Sequence, residues 1–300
     1  MHEDIHRRES DFHDGWAASA PLKDIAVGPA FESPTALENR FILRQMGDLR
    51  GRRVLDLGCG LGESSVYFAL HGALVTAVDI SPGMIATACE LARHHGVAIE
   101  GVVAAGEDFR VSAGQYDFAY AANTLHHVAD KERFISLIHQ ALKPGGRVYF
   151  WDPLTYNPAI NVYRRMAARV RTSDETPLSF RVLSQIRKRF VNVGHREFWL
   201  LSLALFFKYY FIDRVDPNED RYWKRIYRER PARLWWWRPL AAMDIVMTRI
   251  PLLRRFAWNI VIWGTKKDGN NRESGVDELQ EAAPRTADHQ PPIVAPVAVR

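Results

Sequence analysis

Short apolar runs, each closed by an acid or a glycine turn and followed by a stretch with helical spacing, recur through the first half of the chain. Val54-Leu-Asp-Leu57 leads through Gly58, Gly60 and Gly62 into a helix-like run, Ser64 to Leu70. Ala73 to Asp79 reads as a second buried strand ending in an acid. Ser81 then has the character of an N-cap and Pro82 that of a first helical residue. A third strand is expected over Val102–Ala105 and a fourth over Tyr116–Ala121, ending in Asn123-Thr-Leu-His-His127. Leu142-Lys-Pro-Gly-Gly146 reads as a turn into a fifth strand, Arg147–Trp151, which ends at Asp152. Strands that alternate with helices predict an α/β fold with a mostly parallel, doubly wound sheet.

The glycine turn says which ligand such a sheet would hold. A dinucleotide fingerprint wants glycines at its first, third and sixth positions. Here the sixth is Glu63, at a helix N-terminus where a pyrophosphate would sit. An acid there disfavours phosphate, and with it a nicotinamide dinucleotide, but tolerates a cofactor without phosphate such as S-adenosyl-L-methionine. Asp79, 17 residues past Gly62, stands where a strand-end acid accepts both ribose hydroxyls.

The segment Val54-Leu-Asp-Leu-Gly-Cys-Gly-Leu-Gly62 closely resembles the pattern of the class I S-adenosylmethionine-dependent methyltransferases, and most resembles the ubiquinone/menaquinone-type group that modifies small molecules. The likeness covers roughly residues 34–155 and a closing strand much later. It implies a seven-stranded Rossmann-like sheet whose last two strands are antiparallel, here Phe190–Trp199 and Ala257–Lys266. It implies a cofactor site made of Asp56 (toward the ammonium), Gly58, Cys59, Gly60, Gly62, Asp79 and Ile80. Either Glu107 or Asp108 would accept from the adenine amino group. Asn123 is either a helix cap or a donor beside the methionine moiety.

Charge and aromatic content divide the chain unevenly. Residues 1–152 hold 14 Lys and Arg against 20 Asp and Glu; residues 153–267 hold 23 against 9 and seven of the nine tryptophans. The expected organisation is an N-terminal lid segment (1–33), a cofactor-binding core (34–199), a basic, aromatic helical insertion (200–256), the closing strand (257–267) and a disordered tail (268–300) rich in Pro, Ala and acids. The longest apolar stretch of the insertion, Phe198–Ile212, is fifteen residues with a lysine inside, too short to span a bilayer. Its aromatics and flanking arginines suit either a cap over the site or a cap that also touches an anionic membrane surface. Single-stranded nucleic acid is a weaker match, because the segment is too apolar for a solvated groove. Two cysteines on interior elements and an N-terminus without an apolar core suit a cytoplasmic protein, either free or peripheral at the inner face of a membrane.

A sulfonium methyl is already activated, so positioning of the acceptor supplies much of the rate. A base helps if the acceptor is a hydroxyl, and the candidates are His126, His127 and Asp152, at the carboxyl ends of strands four and five. Trp16, Tyr156 and Asn157 are candidates for the acceptor side, and no metal site is expected. The reading is methyl transfer to a small or lipid-like acceptor, at a hydroxyl oxygen. The alternatives are transfer to carbon or nitrogen of a quinone or phospholipid-like acceptor, and a binding module without turnover. The sequence does not indicate an oligomeric state.

Overall fold

Arg53–Leu57 (β1) is buried along almost its whole length, as a central parallel strand covered on both faces must be. The structure, a computed structural model, describes residues 2–172 and 175–267; the tail expected to be disordered lies outside them. Three helices, α1 (His2–Ser19), α2 (Pro29–Glu32) and α3 (Leu37–Met46), precede β1. After it come α4 (Glu63–Leu70), β2 (Leu74–Asp79), α5 (Pro82–His94), β3 (Glu100–Val103), β4 (Tyr116–Ala122) and α6 (Lys131–Ala141). Then follow β5 (Leu142–Pro153), α7 (Pro158–Met166), α8 (Val182–Arg187) and β6 (Val191–Phe198). The short helices α9 (Ala204–Phe207) and α10 (Tyr222–Arg225) and the longer α11 (Trp237–Met247) lead to β7 (Asn259–Thr265).

The seven strands lie in the order β3-β2-β1-β4-β5-β7-β6. The first five are parallel, and β7 runs antiparallel between β5 and β6. This is the doubly wound α/β sheet that the alternating pattern predicts. The helix start at Ser81 is also as expected: its Oγ accepts from Met84 N–H at 3.0 Å, with Pro82 at the first helical position. Two expectations shift. The turn expected at Leu142–Gly146 is an irregular entry into β5, where pairing with β4 jumps from Tyr116–Leu142 to Phe118–Arg147. Gly145, at φ 74°, donates to Lys266 O, and Lys266 N–H returns to Gly146 O at 2.8 Å, so the bulge is held by the end of β7. The third strand begins two residues earlier than expected, because it is an exposed edge with little apolar signal.

The chain leaves the sheet after β6 at Trp199, which sits at φ 66°, and returns at Trp258, whose N–H donates to Trp199 O at 2.9 Å. The excursion between them is helical. Its core is aromatic: Trp199, Phe206, Trp237 and Trp258 are buried, with Phe206 edge-on to Trp258 at 4.8 Å. Asp244, which interrupts the apolar run in the sequence, is buried and accepts from the N–H groups of Leu200, Leu201 and Ser202 and from Ser202 Oγ. It therefore caps the turn after β6, and α11 is fixed against that turn.

Glu38 of α3 holds the neck of this excursion, accepting from Trp199 Nε1 at 3.2 Å and Asn259 Nδ2 at 2.6 Å. Burial pushes its carboxyl from 4.5 up to about 7, against those hydrogen bonds. The folded protein thus keeps a proton that the unfolded chain releases. Stability falls as pH rises from 4.5 to about 7 and levels off above it. The difference is up to about 3 kcal/mol. Glu38→Gln, neutral at every pH, should lack this part of the slope. Denaturant titrations at pH 5 and pH 8 check it, and equal slopes in both proteins would contradict it.

Candidate active site

The carboxyl ends of β1 and β4 part at the point where the strand order reverses, and a deep cavity opens there. Gly58, Cys59, Gly60 and Leu61 form its floor. Gly58 and Cys59 donate to Val78 O at 2.8 and 3.1 Å, which folds the loop back onto β2. A side chain at Gly58 (φ 66°) would place Cβ 2.2 Å from Thr124 Oγ1, and one at Gly62 (φ 92°) would meet Ala88 at 2.6 Å. Gly60 has nothing within 4 Å of its Cβ position. Two glycines are thus required by packing, and the third leaves room for a ligand to lie against backbone.

Asp79 faces this floor from the end of β2. It accepts from Gly60 N–H at 2.9 Å and Ser81 N–H at 3.0 Å, so it fixes both loops and keeps acceptor capacity for a diol. Burial pushes its pKa up, and the backbone donors oppose that. Ile80, Glu107 and Asn123 also line the cavity. Glu107 is buried and accepts from Ala129 and Asp130 N–H at 2.8 and 3.2 Å. Asn123 sits at φ 51°, in the left-handed region that asparagine tolerates, and donates its N–H to Trp151 O at 2.8 Å; the cap of α6 is Asp130.

Several candidates are placed elsewhere. Asp56 lies beneath the floor, its Oδ2 accepting from Ser64 and Ser65 hydroxyls at 2.6 and 2.5 Å, and burial pushes its pKa up to about 6. It holds the loop to α4, and only Ser64 reaches the cavity. Asp108 turns outward to Arg133 at 2.9 Å, and of the two acids only Glu107 lines the cavity. Tyr156 stacks on Phe180 at the surface. Asn157 caps α7 through Ile160 N–H and donates to Phe256 O. Neither of these two lines the cavity.

Both histidines line the cavity, but they differ in burial. His126 is buried, with Nδ1 2.7 Å from Asp152 Oδ1, and the same oxygen accepts its N–H at 3.1 Å. Burial lowers the His126 pKa well below its usual value and raises that of Asp152, so both are driven toward their uncharged forms. Asp152 is wholly buried behind the imidazole and does not line the cavity. It positions the loop. His127 is the half-exposed member, and it faces the cavity and α1.

Helix α1 and the insertion supply the cover. His6, Glu9, Phe12, His13 and Trp16 line the cavity from α1; Trp223, Lys224 and Tyr227 do so from the insertion; Arg171 and Glu175 come from the segment after α7. Asp14 anchors α1 to the start of α5 through Gly83 N–H at 2.8 Å. Arg221 lies 4.1 Å over the Trp16 ring, joining the two covering pieces. Lys224 Nζ donates to Glu63. The acid that argues against phosphate is therefore paired, and glycine spacing carries that argument better than charge does.

Comparison with known proteins agrees with this geometry. The family model described as Methyltransferase domain matches residues 55–150. A ubiquinone biosynthesis O-methyltransferase of Xanthomonas euvesicatoria is 34% identical over 167 residues, covering 53% of this chain and 69% of that one. The Escherichia coli protein of the same name is 31% identical over 151 residues, covering 50% of this chain and 60% of that one. In fold, the chain is similar to Haemonchus contortus phosphoethanolamine N-methyltransferase 2 in complex with S-adenosyl-L-methionine, with TM-score 0.52 and 17% identity over 78% of this chain and 52% of that one. A Mesorhizobium loti S-adenosylmethionine-dependent methyltransferase gives TM-score 0.50 and 19% identity, over 79% and 100%. The chain belongs to the class I S-adenosylmethionine-dependent methyltransferases. Its cofactor is S-adenosyl-L-methionine, and the open backbone at Gly60 beside a strand-end carboxylate fits that molecule.

Proposed function

We propose that the enzyme methylates a hydroxyl oxygen of a small, lipid-like acceptor, a phenol on a quinone-like ring being the best match. The relatives named as ubiquinone biosynthesis O-methyltransferases support this class of acceptor. One observation of the site carries it. The cavity is walled by Phe12, Trp16, Trp223 and Trp258, and among these apolar rings His127 stands backed by Glu9 and His13. An apolar, aromatic wall selects a flat or greasy acceptor. A single polar cluster within it is where a hydroxyl would be held and lose its proton. The bound cofactor supplies a methyl group on a positively charged sulfur. Gly58, Gly60, Asp79 and Glu107 hold and orient that cofactor, Trp16 and the insertion exclude water, and His127 receives the hydroxyl. Incubation with methyl-labelled cofactor and a quinol bearing an apolar tail should place label on oxygen. Label on nitrogen or ring carbon of comparable acceptors, and none on the quinol, would overturn the assignment.

The same reading places the acceptor's source at a membrane. No helix among the described residues is long and apolar enough to cross one. The insertion nonetheless exposes Phe211 (66%), Ile212 (75%), Trp235 (76%), Val246 (61%) and Leu252 (64%), with Arg230, Arg233, Arg238, Arg249 and Arg255 exposed around them. Roughly 1 kcal/mol per basic residue is available near an anionic surface. The protein should sediment with anionic vesicles, less with neutral ones, and less as salt rises. Trp235→Ala should weaken this binding. Trp237 is buried, with Nε1 donating to Ser202 O at 2.8 Å, so the Trp235–Trp237 triplet does not act as one anchor. No sedimentation at low salt would leave the insertion as a cap only.

A further inference from the structure

Two side chains at the cavity, Glu9 of the cover and His127 of the loop after β4, each have a buried polar atom without a hydrogen bond. Glu9 is 5% exposed, yet its Oε1 makes no hydrogen bond. Its Oε2 stands 3.4 Å from His13 Nε2 and 3.3 Å from His127 Nδ1, and that His127 nitrogen also makes no hydrogen bond. A charge-assisted N–H···O bond closes to about 2.7–2.9 Å. Ligands held about 2.0–2.1 Å from a tetrahedral ion instead stand about 3.3–3.4 Å apart, the spacing of an edge of the tetrahedron. All three ligand atoms lie within 4.8 Å of one another. Glu9 and His13 occupy one face of α1 by their four-residue spacing, and the loop after β4 brings His127 against that face.

We propose that Glu9, His13 and His127 bind one divalent transition-metal ion, of which zinc is the type. Two imidazoles and one carboxylate are the donors that borderline ions favour over magnesium or calcium. Three protein ligands would leave a fourth position, and all three side chains line the cavity. A second group, His126, His127 and Glu175, shares His127. It is the poorer site, because Glu175 is held by both Arg164 and Arg171 at 2.8 Å and His126 by Asp152. The role of the ion rests on the proposed function: an acceptor hydroxyl is a natural ligand for the open position, where a cation lowers its pKa and fixes its direction.

The test uses the full-length protein, freed of metal by a chelator and titrated with Co2+. One equivalent should bind, with the visible absorption of four-coordinate cobalt, and Zn2+ should displace it. Glu9→Gln and His13→Gln should each weaken binding by more than about 10–100-fold, the loss typical of outer partners alone. Glu175→Gln should leave it unchanged. Circular dichroism and titration with S-adenosylhomocysteine show that each variant is folded, and His13, being more exposed than Glu9, gives the safer variant. Three results overturn the site: no saturable Co2+ binding, binding that survives Glu9→Gln, or equal loss in Glu175→Gln. Methyl transfer to a quinol by protein that binds no metal would sink the metal site and leave the proposed function. Metal binding without any transfer to hydroxyls would do the reverse.

Discussion

Replacing His127 by Gln should lower turnover at saturating substrate by roughly 10²–10⁴-fold, the range lost with a group that manages the acceptor proton. The variant should bind S-adenosylhomocysteine as the parent does, because the Asp79 carboxylate is fixed by Gly60 and Ser81 N–H, whereas His127 faces Glu9 of α1. His126→Gln should behave differently. His126 is buried against Asp152, so its loss should lower thermal stability while the rate per folded molecule changes far less. Single-turnover rates and melting curves separate the two effects. Equal rates in His127→Gln and the parent would show that positioning alone carries the reaction. A large loss in His126→Gln without destabilisation would move the proton to the buried pair.

Asp79→Ala should weaken S-adenosylhomocysteine binding by roughly 1.5–3 kcal/mol, the scale of hydrogen bonds to a charged group. That is about 10–150-fold in Kd. Part of the loss is indirect, since Gly60 and Ser81 N–H lose their acceptor and the floor of the site loosens. Asp79→Asn, which keeps one acceptor oxygen, should lose less. Calorimetry measures both variants, and an unchanged Kd in a folded Asp79→Ala protein would remove Asp79 from the ribose.

The fold was legible because its signals are local. Each parallel strand is a short apolar run, each turn carries a glycine or a strand-end acid, and Ser81-Pro82 announces a helix on its own. The antiparallel β6 and β7 were found by resemblance rather than by pattern. Within the site, the glycine loop and Asp79 could be read because backbone geometry dictates them. Roles that depend on which way a side chain faces could not. Asp56 and Ser64 sit eight residues apart, and only the structure shows that the acid is underneath and the hydroxyl above. Asp152 and Asn157 are polar residues near a strand end, but burial has committed both to local hydrogen bonds. Trp235 and Trp237 look alike in the sequence and face opposite environments. Glu9 and His13 were missed altogether. Their one available signal is an acid and a histidine four apart on an N-terminal helix, and nothing in the sequence says that this helix meets His127 over a hundred residues later.

The most direct measurement is mass spectrometry of a lipid extract after incubation with the enzyme and methyl-labelled S-adenosylmethionine. A new labelled species should appear in the organic phase, heavier than its precursor by one labelled methyl group, with fragmentation placing that group on a phenolic oxygen. Label confined to water-soluble amines, or to a ring carbon, would contradict the account.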